Sequence, residues 1–199
     1  DGYLGKQRSR IWLYDLASRT ARRLATGDFD EDLPAWSPDG KSIVFVSNRT
    51  PDPDRNYDTN LSLATVGDKP LAPRALTAFP GDDNGRGSGS YPAWSPDGKT
   101  VAYVQGGPVA LIGYGVRTLA VVPASGGAAR VLTAALDRNV SDPVWTADGR
   151  TIRFLIEDDG AVRLGEVAST GGAVRDIAGG MRAFSSPVAG PNGALALLM

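Results

Sequence analysis

The stretch PAWSPDGKSIVFV at residues 34–46 decides the fold, because it returns as PAWSPDGKTVAYV at residues 92–104. A looser third copy, PVWTADGRTIRFL, occupies residues 143–155, and a worn fourth copy, PVAGPNGALALL, occupies residues 187–198. The copies start 58, 51 and 44 residues apart. This spacing, with loops of varying length, is typical of a four-stranded propeller blade that repeats along the chain.

Each copy contains a tight turn followed by a buried strand. In SPDG the proline presets its own φ, the aspartate side chain bonds back to the backbone, and the glycine takes the position where φ is often positive. The strand that follows is apolar at consecutive positions, which indicates cover on both faces by stacked sheets. We expect the tryptophan of each copy to pack between neighbouring sheets, with ligand stacking as the alternative. The structural repeat anchors are Trp36, Asp39, Gly40, Trp94, Asp97, Gly98, Trp145, Asp148 and Gly149.

A second recurring unit lies between the copies, as in residues 11–24 and 118–133: a strand, a small-residue turn, and a strand that ends in Leu or Ile. One copy plus one such hairpin makes four antiparallel strands, and no segment has the periodicity of a long amphipathic helix. The sequence therefore predicts an all-β fold, a β-propeller with four-stranded antiparallel blades. The predicted units of this partial propeller over residues 1–199 are a half-blade at 11–24, blades at 33–77, 91–133 and 142–178, and a half-blade at 186–198.

Composition excludes several kinds of chemistry. The 199 residues include no histidine and no cysteine, so the chain cannot itself supply a Ser-His-Asp or Cys-His system, a disulfide or a zinc ribbon. Twenty-one basic residues against 22 acidic ones give a net charge of -1, which predicts no nucleic-acid and no membrane partner. We expect a cytoplasmic location, with the periplasm as the alternative.

The repeat also carries a family resemblance. The PAWSPDGK anchors resemble the TolB-type propeller repeat, and FVSNR at 45–49, DPDR at 52–55 and NL at 60–61 are similar to the propeller of acylaminoacyl peptidases in the prolyl oligopeptidase family. The resemblance covers nearly the whole chain. It implies a two-domain bacterial serine peptidase in which the propeller screens peptides by size and a C-terminal α/β-hydrolase domain cleaves them.

The chain departs from that enzyme because it contains no Gly-x-Ser-x-Gly and no histidine. We therefore expect the catalytic domain to be absent and the chain to be inert alone, a propeller fragment that gates peptide access to the hydrolase domain. Its expected partners are that hydrolase domain and the peptide substrates of the parent protein. The alternative function is a TolB-like scaffold that binds another protein.

Two acidic loops, at 28–32 and 52–58, are compatible with a calcium site, because alternate carboxylates can converge on a hard cation. Neither has the glycine and the final carboxylate of a helix–loop–helix calcium site. Solvated loops, or loops held by bonds from aspartate to the backbone, are the alternative that we favour. We predict no metal and no cofactor.

The predicted half-blades at the two ends imply that the chain begins and stops within blades, which exposes unpaired edges. Because they are complementary, they can complete one blade within one chain or between two. Closure of one chain would give four blades at about 90° each and two chains eight at about 45°, within the range of about four to eight blades. The family resemblance implies a seven-bladed ring, which is nearer to eight than to four. We expect a homodimer with shared blades, and closure within one chain is the alternative.

Overall fold

A computed structural model of the chain describes residues 7–85, 89–111 and 114–199. The described residues form β-strands joined by turns, with two short 3-10 turns at Val109–Leu111 and Pro191–Gly193 and no helix long enough to cross a membrane. The strands are β1 Trp12–Asp15, β2 Thr20–Arg23, β3 Asp32–Trp36, β4 Ser42–Ser47, β5 Asn60–Thr65, β6 Arg74–Ala75, β7 Gly81–Asp83, β8 Ala93–Trp94, β9 Thr100–Pro108, β10 Thr118–Pro123, β11 Arg130–Val131, β12 Val140–Trp145, β13 Thr151–Asp158, β14 Ala161–Ala168, β15 Arg175–Ala178, β16 Ser185–Ala189 and β17 Leu195–Leu198.

The strands form five antiparallel sheets that follow one another along the chain. Strands β3 to β6 make blade 1, β7 to β11 make blade 2, and β12 to β15 make blade 3. The remaining sheets are two-stranded: the N-terminal hairpin is β1–β2 and the C-terminal hairpin is β16–β17. This arrangement confirms the predicted all-β class.

Blade 2 differs from its neighbours in its innermost strand. Both β7 and β8 pair with β9, so this position is divided between two short strands. In blades 1 and 3 one strand runs through, with a bulge at Leu33 and at Asp142, each of which has a φ of 51°. In blade 2 the corresponding left-handed residue is Asn84, with a φ of 52°. In the sequence, residues 85–92 lie between Asn84 and β8. The blade predicted at 91–133 therefore also includes the strand Gly81–Asp83.

The blades stack through strands that are buried on both faces. Along β9, Val101 and Tyr103 pack with blade 1, whereas Ala102 between them packs with Phe154 of blade 3. Successive residues of a strand point to opposite faces, so a strand between two sheets needs apolar residues at consecutive positions. This explains the uninterrupted apolar runs in the repeat.

The tryptophans link each blade to the one before it. The indole Nε1–H of Trp94 donates to the carbonyl oxygen of Ala35 at 3.0 Å, and that of Trp145 donates to the carbonyl oxygen of Ala93 at 2.9 Å. In both cases the acceptor is the residue before the tryptophan of the preceding copy. Among the residues that the structure describes, no inner strand pair of a preceding blade lies beside Trp36, and 53% of its surface is exposed.

The worn fourth copy has a shorter connection than the others. Ala189 lies opposite Leu195, whereas the equivalent residue of the first copy, Trp36, lies opposite Ile43. Five residues instead of six therefore connect the two strands. Leu195 takes the place that Ile43 holds in blade 1.

Candidate functional site

A cleft of about 550 Å³ opens between the loops of blades 1 and 2. It lies at the end of the blades opposite the SPDG turns, because β4 starts directly after such a turn and its last residue, Ser47, lines the cleft. Both polar and apolar residues line it. The charged and aromatic residues of its lining include Asp30, Asp54, Arg55, Tyr57, Asp82 and Arg117.

The loop that carries the DPDR motif is held in shape by a closed ring of side-chain hydrogen bonds. The Nδ2 amide of Asn48 donates to Oδ1 of Asn56 at 2.6 Å, the Nδ2 amide of Asn56 donates to the hydroxyl of Thr50 at 2.9 Å, and that hydroxyl donates to Oδ1 of Asn48 at 2.8 Å. Asn56 Oδ1 also accepts the backbone N–H of Asp58 at 2.9 Å. Residues 48–58 therefore form a fixed wall of the cleft.

Arg8 joins this wall to the acidic loop at 28–32. Its guanidinium forms two hydrogen bonds with the carboxylate of Asp54, one of them 2.5 Å from Nη2 to Oδ2, and lies 3.3 Å from Oδ2 of Asp30. The hydrogen bond to Asp54 is the main reason why the pKa of Arg8 is raised. Planar two-point pairing of this kind fixes geometry as well as charge.

A buried ion pair stabilises the acidic loop at 28–32. The carboxylate of Glu31, 4% exposed, lies 2.9 Å from Nη2 of Arg49 and accepts the backbone N–H of Ile11 at 3.1 Å. The guanidinium of Arg49 also lies over the ring of Phe29, 5.0 Å from its centroid. Burial lowers the pKa of Arg49, and Glu31 opposes that shift. This pair anchors the loop to the N-terminal hairpin.

The carboxylates of the acidic loop face arginines instead of one another. Asp28 pairs with Arg10 at 2.5 Å, Asp30 with Arg8, and Glu31 with Arg49. Among the residues that the structure describes, no group of three or more Asp, Glu, His or Cys side chains is placed to hold a metal ion. The loops at 28–32 and 52–58 are thus built from ion pairs and side-chain-to-backbone bonds.

Two consecutive aspartates in blade 2 have raised pKa values. Burial raises the pKa of Asp82, which lines the cleft and accepts the hydroxyl of Thr59 at 2.7 Å. Burial raises the pKa of Asp83 to about 7, and the carboxylates of Asp82 and Asp58 add to the rise. Asp83 has no exposed surface. This end of the blades therefore holds a carboxyl group that titrates near neutral pH.

Glycines allow the backbone segments that form one wall of the cleft to pack closely together. A Cβ atom on Gly107 would lie 2.6 Å from the Cα atom of Gly115, and one on Gly106 would lie 2.7 Å from the backbone oxygen of Asp82. Both distances are shorter than real Cβ atoms adopt against backbone, so a side chain at either position would push the wall apart.

The repeat anchors lie away from the cleft. Asp97 accepts the hydroxyl of Ser95 at 2.6 Å and the backbone N–H of Lys99 at 3.1 Å, and Asp39 and Asp148 make the same pair of bonds in their own turns. The hydroxyl bond is the first cause of the lowered pKa of all three aspartates. The turn glycines have positive φ: Gly40 69°, Gly98 69° and Gly149 68°.

Sequence reasoning identified both acidic loops but missed the residues that organise them. Arg8 pairs with Asp54 and Asp30, and Arg49 pairs with Glu31. The FVSNR stretch that carries Arg49 was noted only for its family resemblance, and nothing in the local sequence marks Arg8. The consecutive acids Asp82 and Asp83, directly before Asn84, are a further local signal of the cleft, in addition to the DPDR stretch at 52–55.

No family model matches the chain. It is 30% identical over 148 residues to dipeptidyl-peptidase 5 of Aspergillus fumigatus, a match that covers 69% of this chain and 19% of that protein. The chain thus spans about a fifth of the length of this curated relative.

Solved structures share the fold at low sequence identity. TolB from Acinetobacter baumannii superposes with a TM-score of 0.64 at 20% identity, over 92% of this chain and 41% of that one. Puromycin hydrolase superposes with a TM-score of 0.65 at 18% identity, over 96% of this chain and 32% of that one. The resemblance read from the repeat is confirmed: these are β-propeller blades, similar in sequence to peptidases and in fold to the propellers of TolB and of prolyl oligopeptidase-type enzymes.

Proposed function

We propose that this chain is the propeller part of a serine peptidase, catalytically inert by itself, and that the cleft between blades 1 and 2 receives peptides on their way to a hydrolase domain. The cleft is the observation that carries the proposal. Similarity to peptidases that are about five times as long supports the assignment to a longer peptidase, since the chain covers 19% of such a relative.

The chemistry of the cleft suits a peptide. Arg55 and Arg117 offer N–H donors, the carboxylates of Asp30 and Asp82 offer acceptors, and the exposed ring of Tyr57 offers an apolar surface. An extended peptide presents both donors and acceptors along its backbone, so a rim with both signs of charge can bind it without demanding a net charge. The fixed loop at 48–58 limits the width that a substrate can have.

The chain supplies no group for the hydrolysis step. Its 199 residues contain neither a histidine nor a nucleophile motif, so the acyl-transfer chemistry belongs to a separate domain in this proposal. We expect no turnover of acyl-peptide or dipeptidyl p-nitroanilide substrates by the chain. Inhibitor-sensitive turnover would refute the proposal.

Binding is tested by NMR or calorimetric titration with short peptides. Tyr57→Ala should weaken binding about three- to tenfold if the ring packs on the peptide. Tyr91→Ala is the matched control, because Tyr91 is 55% exposed, against 62% for Tyr57, and does not line the cleft. Equal affinity in both variants, together with tight binding of a folded protein, would favour the alternative of a protein-binding scaffold.

A further inference from the structure

Two polar side chains lie fully buried where blade 2 packs on blade 1. Asp83 on β7 and Tyr103 on β9 have no exposed surface. Among the residues that the structure describes, neither carboxylate oxygen of Asp83 and not the hydroxyl of Tyr103 has a hydrogen-bond partner. Buried polar groups are hydrogen-bonded in the large majority of cases, so this pair marks an unusual place in the core.

Thr59 of blade 1 links the two blades at this place. The backbone N–H of Asp83 donates to the carbonyl oxygen of Thr59 at 2.9 Å, and the hydroxyl of Thr59 donates to Oδ1 of Asp82 at 2.7 Å. This contact of β7 with Thr59 is the seam between blades 1 and 2. Because Asp82 lines the cleft, the seam lies one residue away from the cleft.

The groups that act on Asp83 disfavour a negative charge there. Burial raises the pKa of Asp83 to about 7, and the carboxylates of Asp82 and Asp58 add to the rise. The hydroxyl of Thr77 opposes the rise, although it already donates to a side-chain oxygen of blade 1 at 3.1 Å. Tyr103 stays neutral, because burial raises its pKa and Asp83 adds to that rise. An ionised Asp83 would therefore face two further carboxylates.

Asp82 on the cleft side is better compensated. Burial raises the pKa of Asp82, and both the hydroxyl of Thr59 and the charge of Arg117 oppose that rise. The two consecutive carboxylates thus differ in what surrounds them, and ionisation costs more at Asp83 than at Asp82.

Blade 2 holds β7 on the side away from the seam. The backbone N–H of Asn84 donates to the carbonyl oxygen of Val104 at 2.7 Å, and the N–H of Val104 donates to Oδ1 of Asn84 at 2.6 Å. A Cβ atom on Gly106 would lie 2.7 Å from the backbone oxygen of Asp82, so β7 and β9 are already in close contact. Water that solvates an ionised Asp83 therefore has to enter from the side of Thr59.

Thr59 is also tied to the fixed wall of the cleft at 48–58. Its backbone N–H donates to the carbonyl oxygen of Tyr57 at 2.9 Å. Between these two residues, Asp58 donates its backbone N–H to Oδ1 of Asn56, a member of the ring of side-chain hydrogen bonds in that wall. A displacement of Thr59 therefore moves Tyr57.

We propose that the seam is a proton-controlled joint, closed at Thr59 while Asp83 is protonated and opened to water when Asp83 is ionised, with a shift of the cleft wall that carries Tyr57. The proton leaves to the solvent. Opening of one contact solvates the charge at a lower cost than unfolding of both blades. The inference concerns the shape of the cleft and holds whether or not peptides bind there.

The opening equilibrium has a defined dependence on pH. The closed seam holds the proton up to about pH 7, whereas in the open seam the hydrated carboxyl of Asp83 loses it near its ordinary 3.8. Opening therefore releases a proton between these values and becomes up to about tenfold more favourable with each pH unit.

Amide hydrogen exchange of the full chain, followed by NMR, tests the joint on two neighbouring residues. The N–H of Asp83 crosses the seam, whereas that of Asn84 stays within blade 2. Relative to the intrinsic rate at each pH, the Asp83 amide should be at least about tenfold less protected than the Asn84 amide. Equal protection of the two amides would overturn the proposal, because both would then exchange through the same unfolding.

Proton control is tested by two neighbouring substitutions. Protection of the Asp83 amide should fall at least about tenfold between about pH 5 and pH 7, and in Asp83→Asn this fall should disappear. Asp82→Asn is the matched control, since it removes the adjacent carboxylate and should leave the fall in place. A fall that persists in Asp83→Asn, or that is lost in Asp82→Asn, would overturn the proposal.

Two NMR signals of the unaltered chain test the joint without any substitution. The carboxyl carbon of Asp83 should titrate above about pH 5, and a midpoint near the ordinary 3.8 would overturn the proposal. The ring signals of Tyr57 should move with the same midpoint, whereas those of Tyr91, 55% exposed against 62% for Tyr57, should not. A Tyr57 ring that does not respond would overturn the proposal as well, because the wall would not follow the seam.

Discussion

The two ends of the blades shift the pKa values of their aspartates in opposite directions. At the turn end, Asp39, Asp97 and Asp148 are exposed, accept a hydroxyl and a backbone N–H, and have lowered pKa values. At the cleft end, Asp83 is fully buried and Asp82 is half-buried, and both have raised pKa values. Hydrogen bonds favour the charged carboxylate, whereas loss of water disfavours it.

The difference separates the turn end, which repeats one local structure, from the cleft end, to which the proposed function assigns peptide binding. The distance from hydroxyl to carboxylate in the three turns is 2.6, 2.6 and 2.7 Å, so one local solution is repeated. In the loops that line the cleft, Arg8, Arg49 and Asn56 each hold a different contact. The proposed function uses the cleft end, because the turns at the other end are already committed to closing hairpins.

The largest expected effect separates two equivalent tryptophans. Trp145→Ala should lower the free energy of unfolding by about 3–5 kcal/mol, because Trp145 is buried and hydrogen-bonded to blade 2. Trp36→Ala should cost under about 1 kcal/mol, since its side chain is half exposed in the single chain. Urea denaturation measures both. Equal losses would contradict the role of the blade contact.

The second prediction concerns the support of the cleft end. Glu31→Gln leaves the guanidinium of Arg49, 21% exposed, without its counter-charge, so it should destabilise the fold by about 2 kcal/mol. Asp52→Asn removes an exposed pair with Arg55, 3.8 Å apart, and should change nothing measurable. The comparison uses midpoints of denaturant unfolding. Similar small shifts in both would show that the buried pair does not hold the acidic loop.

The third prediction uses the pKa of Asp83. Because the folded pKa of about 7 exceeds the ordinary 3.8, its stabilising contribution is complete below pH 3.8 and is lost as the pH rises to 7. The loss is about 1.4 kcal/mol for each pH unit between these values. Asp83→Asn, which stays neutral, should flatten this part of the curve of unfolding free energy against pH. Parallel curves for the two proteins would contradict the assignment.

The smallest effect is expected at the turn end. Gly98→Ala places a Cβ atom at a φ of 69° and should cost about 1 kcal/mol. Gly67→Ala is the matched control, because Gly67 has no atom within 4 Å of an added Cβ and no positive φ. Thermal unfolding detects the difference. An unchanged melting temperature in Gly98→Ala would show that the turn tolerates a side chain.

Pattern alone identified the fold but not every strand. PAWSPDGK marks turns and inner strands, since those contacts are local and repeat in each blade. It did not predict that Gly81–Asp83 joins blade 2, because eight sequence positions, 85–92, lie between Asn84 and β8, and β7 pairs with the C-terminal part of β9. Nor did it reveal that the fourth copy has one residue fewer between Ala189 and Leu195, because that copy keeps the proline and glycine positions by which the copies are aligned.

The amino-acid sequence by itself determined the four-stranded unit, its turns and the absence of histidine chemistry, because each depends on residue type and short-range spacing. Only the tertiary structure decided which charges meet. Arg8 reaches Asp54 across 46 positions of the chain, and Arg117 reaches Glu157 across 40. Such pairs form where stacked blades bring distant loops together, and no local sequence pattern predicts them.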